Sequence, residues 1–210
     1  MATIFRHPDV KCGCEWELKT ILGCIKHYFK VIGFSSFTCY GGLYDDIFIG
    51  LGSNLGNRKK NIEKAIKKMA EHIQIIKVSP LYKTTPQEGV SGNWFFNGVI
   101  YGKTSLTPMK LLKFLQSIEE DLGRPRNHKK NTARTIDLDM LFYGNKIIKN
   151  KFLVIPHPKI LQREFVIRGL LEVNKRFEHP LIKKTIAHIW KEFNDAGTEN
   201  KERCPHSSRK

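Results

Sequence analysis

Residues Gly123–Gly144 read GRPRNHKKNTARTIDLDMLFYG, and the stretch changes character at its middle. The first half holds Arg124, Arg126, Lys129, Lys130 and Arg134, with His128 able to add a charge. It has no carboxylate and no apolar run, which predicts a mobile basic loop. From Thr135 to Tyr143 the pattern is that of a strand. Residues two apart on a strand share a face, about 6.6–6.8 Å apart along it. Ile136, Leu138 and Met140 therefore point into a core, and Asp137 and Asp139 point the other way. Two parallel carboxylates repel each other unless a cation lies between or above them. Mg²⁺ suits such a pair, because it takes one or two carboxylates and completes its octahedron with water and substrate phosphates. The arginines before it would meet the remaining phosphate charge with their planar forks. The other reading of a D-x-D is an edge strand with two solvated acids beside an ordinary charged loop.

The elements around this stretch set the fold. Upstream, IFIGLG from Ile47 is a short apolar strand running into Gly50, Gly52 and Gly56. The Walker spacing and its Lys are missing, so a tight strand-to-helix turn is expected there rather than a phosphate loop. Asn57 is the candidate N-cap of a helix whose Ile62, Ala65, Ile66 and Met69 recur at helical intervals. Ile73–Ser79 reads as a second strand, Pro80–Gly92 as a long loop and Phe95–Tyr101 as a third strand. Thr107-Pro108 opens a second helix with Leu111, Leu112, Leu115, Ile118 and Leu122 on its stripe, closed by Gly123. The order β-α-β-β-α-β predicts an α+β, ferredoxin-like core. Additional C-terminal strands and helices follow: a hairpin over Ile147–Ile155, a turn at Pro156–Pro158, and helices over Phe165–Val173 and Ile182–Phe193. The expected division is an extension at 1–46, a catalytic domain at 47–195 and a basic, disordered tail at 196–210.

Composition narrows the ligands. The chain has 210 residues and a formal net charge of +16. Residues 1–46 hold five basic and five acidic side chains, so the whole excess lies beyond them. Such an excess fits polyanionic ligands such as nucleotides or nucleic acid, or simply a Lys-rich proteome. No apolar run reaches 18 residues, so no membrane span is expected. Five cysteines, four of them in the first 40 residues, make an odd count without a regular framework. Reduced thiols in a cytoplasmic protein follow. Cys12, Cys14, Cys24 and His27 match no common structural zinc spacing.

Taken together, IGLGSNLGNR, SPLYKTTP, FFNGV, the D-L-G-R-x-R loop, ARTIDLDMLFYG, IPHP and QREFV stand in the order and spacing of one enzyme family. Over about residues 47–178 the chain resembles 6-hydroxymethyl-7,8-dihydropterin pyrophosphokinase, in what looks like a monofunctional form. The resemblance implies transfer of the pyrophosphoryl group of ATP to the pterin hydroxymethyl oxygen, releasing AMP, in folate biosynthesis. It implies two Mg²⁺ ions on Asp137 and Asp139, and Arg124 and Arg134 as the catalytic arginines on the triphosphate. Gln116, Glu119, Arg126, His157 and Arg163 would complete the ATP site. Thr84, Thr85, Pro86 and Asn97 would read the pterin's polar edge, between the rings of Phe95 and Phe165. ATP and the pterin are the implied partners, with no nucleic acid, membrane or protein partner called for.

Each residue also has a plainer reading. Phe95 and Phe165 could be core, His157 a turn residue, and Gln116 and Glu119 the wet face of a helix; Asn97, among apolar strand neighbours, needs partners. The chain departs from the family where a Trp-Gly-Pro run before the second arginine is replaced by Asn131-Thr132-Ala133. Phe152 stands where an Arg is usual, and Phe95 where a Tyr is usual. Two other classes compete. An RNA-binding module would need an aromatic pattern that no strand carries, and the acids would repel phosphate. A nucleotidyltransferase would also use D-x-D with Mg²⁺ but would leave the pterin motifs unexplained.

Overall fold

The computed structural model describes residues 44–85, 94–125 and 132–202, with backbone alone for 196–202. Pro86, Arg126, the middle of the basic loop, the N-terminal cysteines and the last eight residues lie outside the described residues. The compact unit containing the described residues begins at Gly41.

Strand β1 (Asp45–Ser53) is central, with β4 (Phe95–Thr104) on one side and β5 (Asp137–Tyr143) on the other, both antiparallel. The outer edge of β4 is paired first by β2 (Gln74–Val78) and then by β3 (Tyr82–Thr84). The order β2-β4-β1-β5 is that of the split βαβ ferredoxin-like fold. The short β3 corrects the expected uninterrupted loop over Pro80–Gly92. Three residues are too few to announce themselves by alternation, and only pairing with Phe95–Asn97 makes them a strand.

Helix α1 (Arg58–Met69) starts where its cap predicts: the Asn57 side chain accepts the Lys60 N–H at 3.1 Å. It buries Ile62, Ala65, Ile66 and Met69. Helix α2 (Pro108–Asp121) buries Leu111, Leu115 and Ile118, while Leu112 and Leu122 are only half-buried. Thr107 occupies the cap position, but its side chain makes no cap hydrogen bond. Both helices cover one sheet face, where Ile47, Ile49 and Leu51 of β1 and Leu138 and Met140 of β5 are buried.

Among the described residues, the other face is covered over only part of its length. A hairpin of β6 (Ile148–Lys149) and β7 (Val154–Ile155) leads to helix α3 (Glu164–Asn174), which lies on β4 and against α4 (Ile186–Glu202). A Cβ on Gly169 would stand 2.5 Å from Val99 Cγ2, so the missing side chain lets α3 approach the sheet closely. Two C-terminal expectations are corrected. The last helix starts at Ile186 rather than Ile182, because the chain still turns at Lys183 with φ 54°. It runs to Glu202 through residues expected to be disordered. Polar composition does not stop a helix already nucleated by packed Ile186 and Ile189.

Candidate active site

Opposite partners in antiparallel strands present side chains on one face. Across β4, β1 and β5 one row runs Asn97–Gly52–Asp137, and the next Val99–Gly50–Asp139. The expected strand-to-helix turn is corrected here. Gly50 and Gly52 lie inside β1 and floor a cleft, and only Gly56, with φ 62°, serves a turn. A Cβ on Gly52 would sit 2.9 Å from Asn97 Oδ1 and 3.6 Å from Asp137 Cβ. Glycine is what keeps the middle of the row open. The cleft above, about 350 Å³ and open to solvent, is lined by Asn97, Asp137, Asp139, His157, Arg163 and Phe165, among others. Six side chains named from the sequence, drawn from three separated segments, therefore meet around two glycines.

Of the two strand acids, Asp137 is the more heavily paired. Arg124 Nη1 contacts its Oδ1, and Arg134 Nη1 lies 2.8 Å from its Oδ2. Asp139 keeps 38 % of its side chain accessible, with Arg163 Nη1 3.6 Å from its Oδ2. Although reachable through the cleft mouth, the carboxyl group is enclosed by protein, and this desolvation with repulsion from Asp137 pushes the Asp139 pKa up to about 6, against the pull of the three arginines.

Glu119 does more than face solvent. Its Oε1 accepts from Arg124 Nη1 at 2.5 Å and from the Leu138 N–H at 2.7 Å. It caps the outer edge of β5 between the two acids and ties Arg124 to the same point. Burial pushes its carboxyl up to about 7, opposed by Arg124 and by that N–H. Gln116 is exposed on α2, one turn earlier.

Among the pterin candidates, Asn97 is buried and its Nδ2 donates to Thr84 Oγ1 at 2.7 Å. That bond fixes the amide so that Oδ1 faces Gly52. Thr85, just past β3, is exposed. Phe95 is 9 % exposed, and the Arg134 guanidinium lies 5.7 Å from its ring centre. His157 Nδ1 accepts the Lys159 N–H at 3.2 Å, so the neutral ring carries its proton on Nε2 as a donor. Burial, then Arg163 and Lys159, hold its pKa below the ordinary value. Gly50 and Gly52 were read from the sequence only as turn glycines, and Lys159, which also lines the cleft, was not named from it. No local pattern marks them, because their role exists only once β4, β1 and β5 are paired.

The carboxylate pair fits Mg²⁺. Among the described residues no group of three or more His, Cys, Asp or Glu is arranged to hold a metal ion. Two carboxylates on one face with arginines beside them are a donor set that Mg²⁺ would complete with water and phosphate oxygens rather than with more protein ligands.

The model of the 7,8-dihydro-6-hydroxymethylpterin-pyrophosphokinase family matches residues 48–175. The chain belongs to this family. It is 36% identical over 152 residues to the 2-amino-4-hydroxy-6-hydroxymethyldihydropteridine pyrophosphokinase of Aquifex aeolicus, covering 72% of this chain and 92% of that one. It is 43% identical over 150 residues to the folic acid synthesis protein fol1 of Pneumocystis carinii, covering 71% of this chain and 20% of that protein. The chain therefore spans about a fifth of that relative's length. The crystal structure of wild-type Plasmodium falciparum HPPK-DHPS superposes with a TM-score of 0.61 over 75% of this chain and 46% of that one. Its 16% identity makes it a likeness of fold. Among the described residues no helix is long and apolar enough to cross a membrane.

Proposed function

We propose that this chain transfers the pyrophosphoryl group of ATP to the hydroxymethyl oxygen of 6-hydroxymethyl-7,8-dihydropterin, with Asp137 and Asp139 holding Mg²⁺. The chain acts as the diphosphokinase of its family in folate synthesis. The observation that carries the assignment of roles is the row Asn97–Gly52–Asp137. It sets a fixed amide and a metal-competent acid two strand spacings apart, about 10 Å. A bicyclic ring read at its polar edge by Asn97 then presents its far substituent to the acids.

In the reaction a bond forms between the hydroxymethyl oxygen and the β-phosphorus as the bond from that phosphorus to the α,β-bridging oxygen breaks. AMP leaves with the electron pair, and the hydroxyl proton passes to water. Bound Mg²⁺ supplies charge neutralisation on the phosphates and lowers the pKa of the attacking hydroxyl. The protein's part is positioning and fixed positive charge, as in phosphoryl transfer generally. Arg124 and Arg134, now on Asp137, turn their forks to the triphosphate when it arrives with its metal. Arg163 lies beside Asp139, and His157 Nε2–H donates to a phosphate oxygen. Phe165 and Phe95 hold the ring faces, with Thr84 keeping Asn97 in place. Gln116 and Glu119 serve the nucleotide side, Glu119 chiefly by holding Arg124. Cysteine usage suits a reducing compartment, and we assign the activity to the cytoplasm.

Incubation with ATP, Mg²⁺ and the reduced pterin alcohol tests the proposal, with products separated by chromatography. AMP and the pterin diphosphate are expected in equal amounts. Pyrophosphate would point to nucleotidyl transfer and ADP to an ordinary kinase. RNA binding without pterin-dependent ATP consumption would overturn the enzyme reading.

A further inference from the structure

Among the described residues, Arg134 is the site arginine with the least local support. It lies between the basic loop and β5, outside any helix or strand, so no ladder or helical bond fixes its backbone. Its side chain nevertheless has to serve two site residues at once, Asp137 at 2.8 Å and the Phe95 ring at 5.7 Å. A residue 80 positions away supplies the missing support. Asn54 directly follows β1, at the start of the turn before α1, and is 1 % exposed. Its Oδ1 accepts the Arg134 N–H at 2.7 Å, while its own N–H donates to the Arg134 carbonyl at 3.1 Å. Ser53, fully buried, donates from Oγ to the Thr135 carbonyl at 2.6 Å. Both polar groups of the Arg134 backbone are thus held by one side chain and one peptide group.

Asparagine side chains ordinarily bond their own neighbourhood in turns and caps. Here the amide instead reaches across the fold, and its Nδ2 is buried with no hydrogen-bond partner among the described residues. An unsatisfied buried donor costs stability. An apolar residue would avoid that cost but would also release the Arg134 N–H. What the amide contributes at this position is its acceptor oxygen.

We infer that Asn54 is a positioning residue for catalysis, holding the Arg134 backbone so that its guanidinium stays between Asp137 and the Phe95 ring. The inference rests on the reading that Arg134 meets the triphosphate. A misplacement of about 1 Å can cost a factor of up to about 10² in rate. Asn54→Ala should therefore lower kcat on the order of tenfold or more, with KM for the pterin much less affected.

A double-mutant cycle with Arg134→Ala tests it in the full chain, by steady-state AMP release at saturating ATP and Mg²⁺. Asn54→Ala should add almost nothing to the loss already caused by Arg134→Ala, because the positioned group is gone. Losses that multiply would make Asn54 a structural residue and overturn the inference, as would an unchanged kcat in Asn54→Ala. Full activity in Arg134→Ala alone would instead defeat the reading of the site, and the inference with it. Should Asn54→Ala not fold, Asn54→Ser, whose hydroxyl is too short to reach the Arg134 N–H, enters the same cycle with the same criteria.

Discussion

The sheet face that carries the site has two halves built from the same three strands, and they differ in nearly everything. In the covered half, Phe48 pairs across to Tyr101 and Phe142. Its ring lies 5.0 Å from Tyr101, 5.7 Å from Phe142 and 4.5 Å from Phe177, under α3 and α4. Four residues further along β1 the same face has glycine in the middle, an amide on one side and a carboxylate on the other. A register shift between Phe48 and Ile49 marks the boundary, beside which both Leu141 and Phe142 join the apolar cluster. One half buries rings and gains stability from them. The other keeps like charges together at some cost to stability, which is common for a site whose charge is completed by its ligand.

If that division holds, each half should fail in its own way. The largest effect is expected in the covered half. Phe48→Ala removes a fully buried ring with three aromatic neighbours. It should cost about 3–5 kcal/mol of stability in denaturant unfolding, while kcat of the folded protein stays near the parent value. A large loss of kcat at full occupancy of the native state would mean that the halves are not separable.

Next comes Asp139→Ala, with activity reduced by roughly 10² or more, about 3–4 kcal/mol, and a raised requirement for Mg²⁺. Stability should not fall with it. The substitution relieves repulsion from Asp137, and the lost contact with Arg163, 3.6 Å and partly exposed, is worth little. Parallel melting curves without nucleotide decide this. A variant that melts well below the parent would show Asp139 to be structural.

The asymmetry between the halves also explains what could be read from the sequence. The D-x-D strand was legible because its acids interrupt an apolar alternation, and Asp137 and Asp139 do stand on one face with Leu138 buried on the other. The two helices were legible from Asn57, Pro108 and their apolar spacing. Gly50 and Gly52 were not, since a glycine in a strand and one in a turn look alike until the strand's partners are known. The double anchoring of Glu119 to Arg124 and to the Leu138 N–H was hidden for a related reason. It joins a helix to an edge strand, and such a contact leaves no period in either segment.

The floor glycines test the same division at a smaller scale. Gly52→Ala should lower kcat/KM for the pterin roughly tenfold, because its Cβ would stand only 2.9 Å from Asn97 Oδ1 and push the amide aside. Gly50→Ala meets only Leu141 Cδ2 at 3.5 Å and Asp139 Cβ at 3.7 Å, ordinary contacts, and should do less. Equal effects from the two would mean that bulk in the floor, rather than the amide beside Gly52, is what matters.

The smallest effect is expected from two histidines, one in each half, followed by NMR. His179 is buried with its ring 5.2 Å from that of Phe142, and burial lowers its pKa. His157, at the cleft, is lowered by burial and then by Arg163 and Lys159. In both cases the folded state resists the proton that the unfolded chain accepts near pH 6.5. The stability each contributes is complete above that pH and is lost as the pH falls toward the folded-state pKa. ATP with Mg²⁺ should separate the two. Phosphate oxygens beside His157 favour its cation and should move its titration upward. His179, screened behind the aromatic cluster, should titrate as before. A shift of His179 on nucleotide binding would show that the covered half responds to the ligand, and the division between the halves would fail.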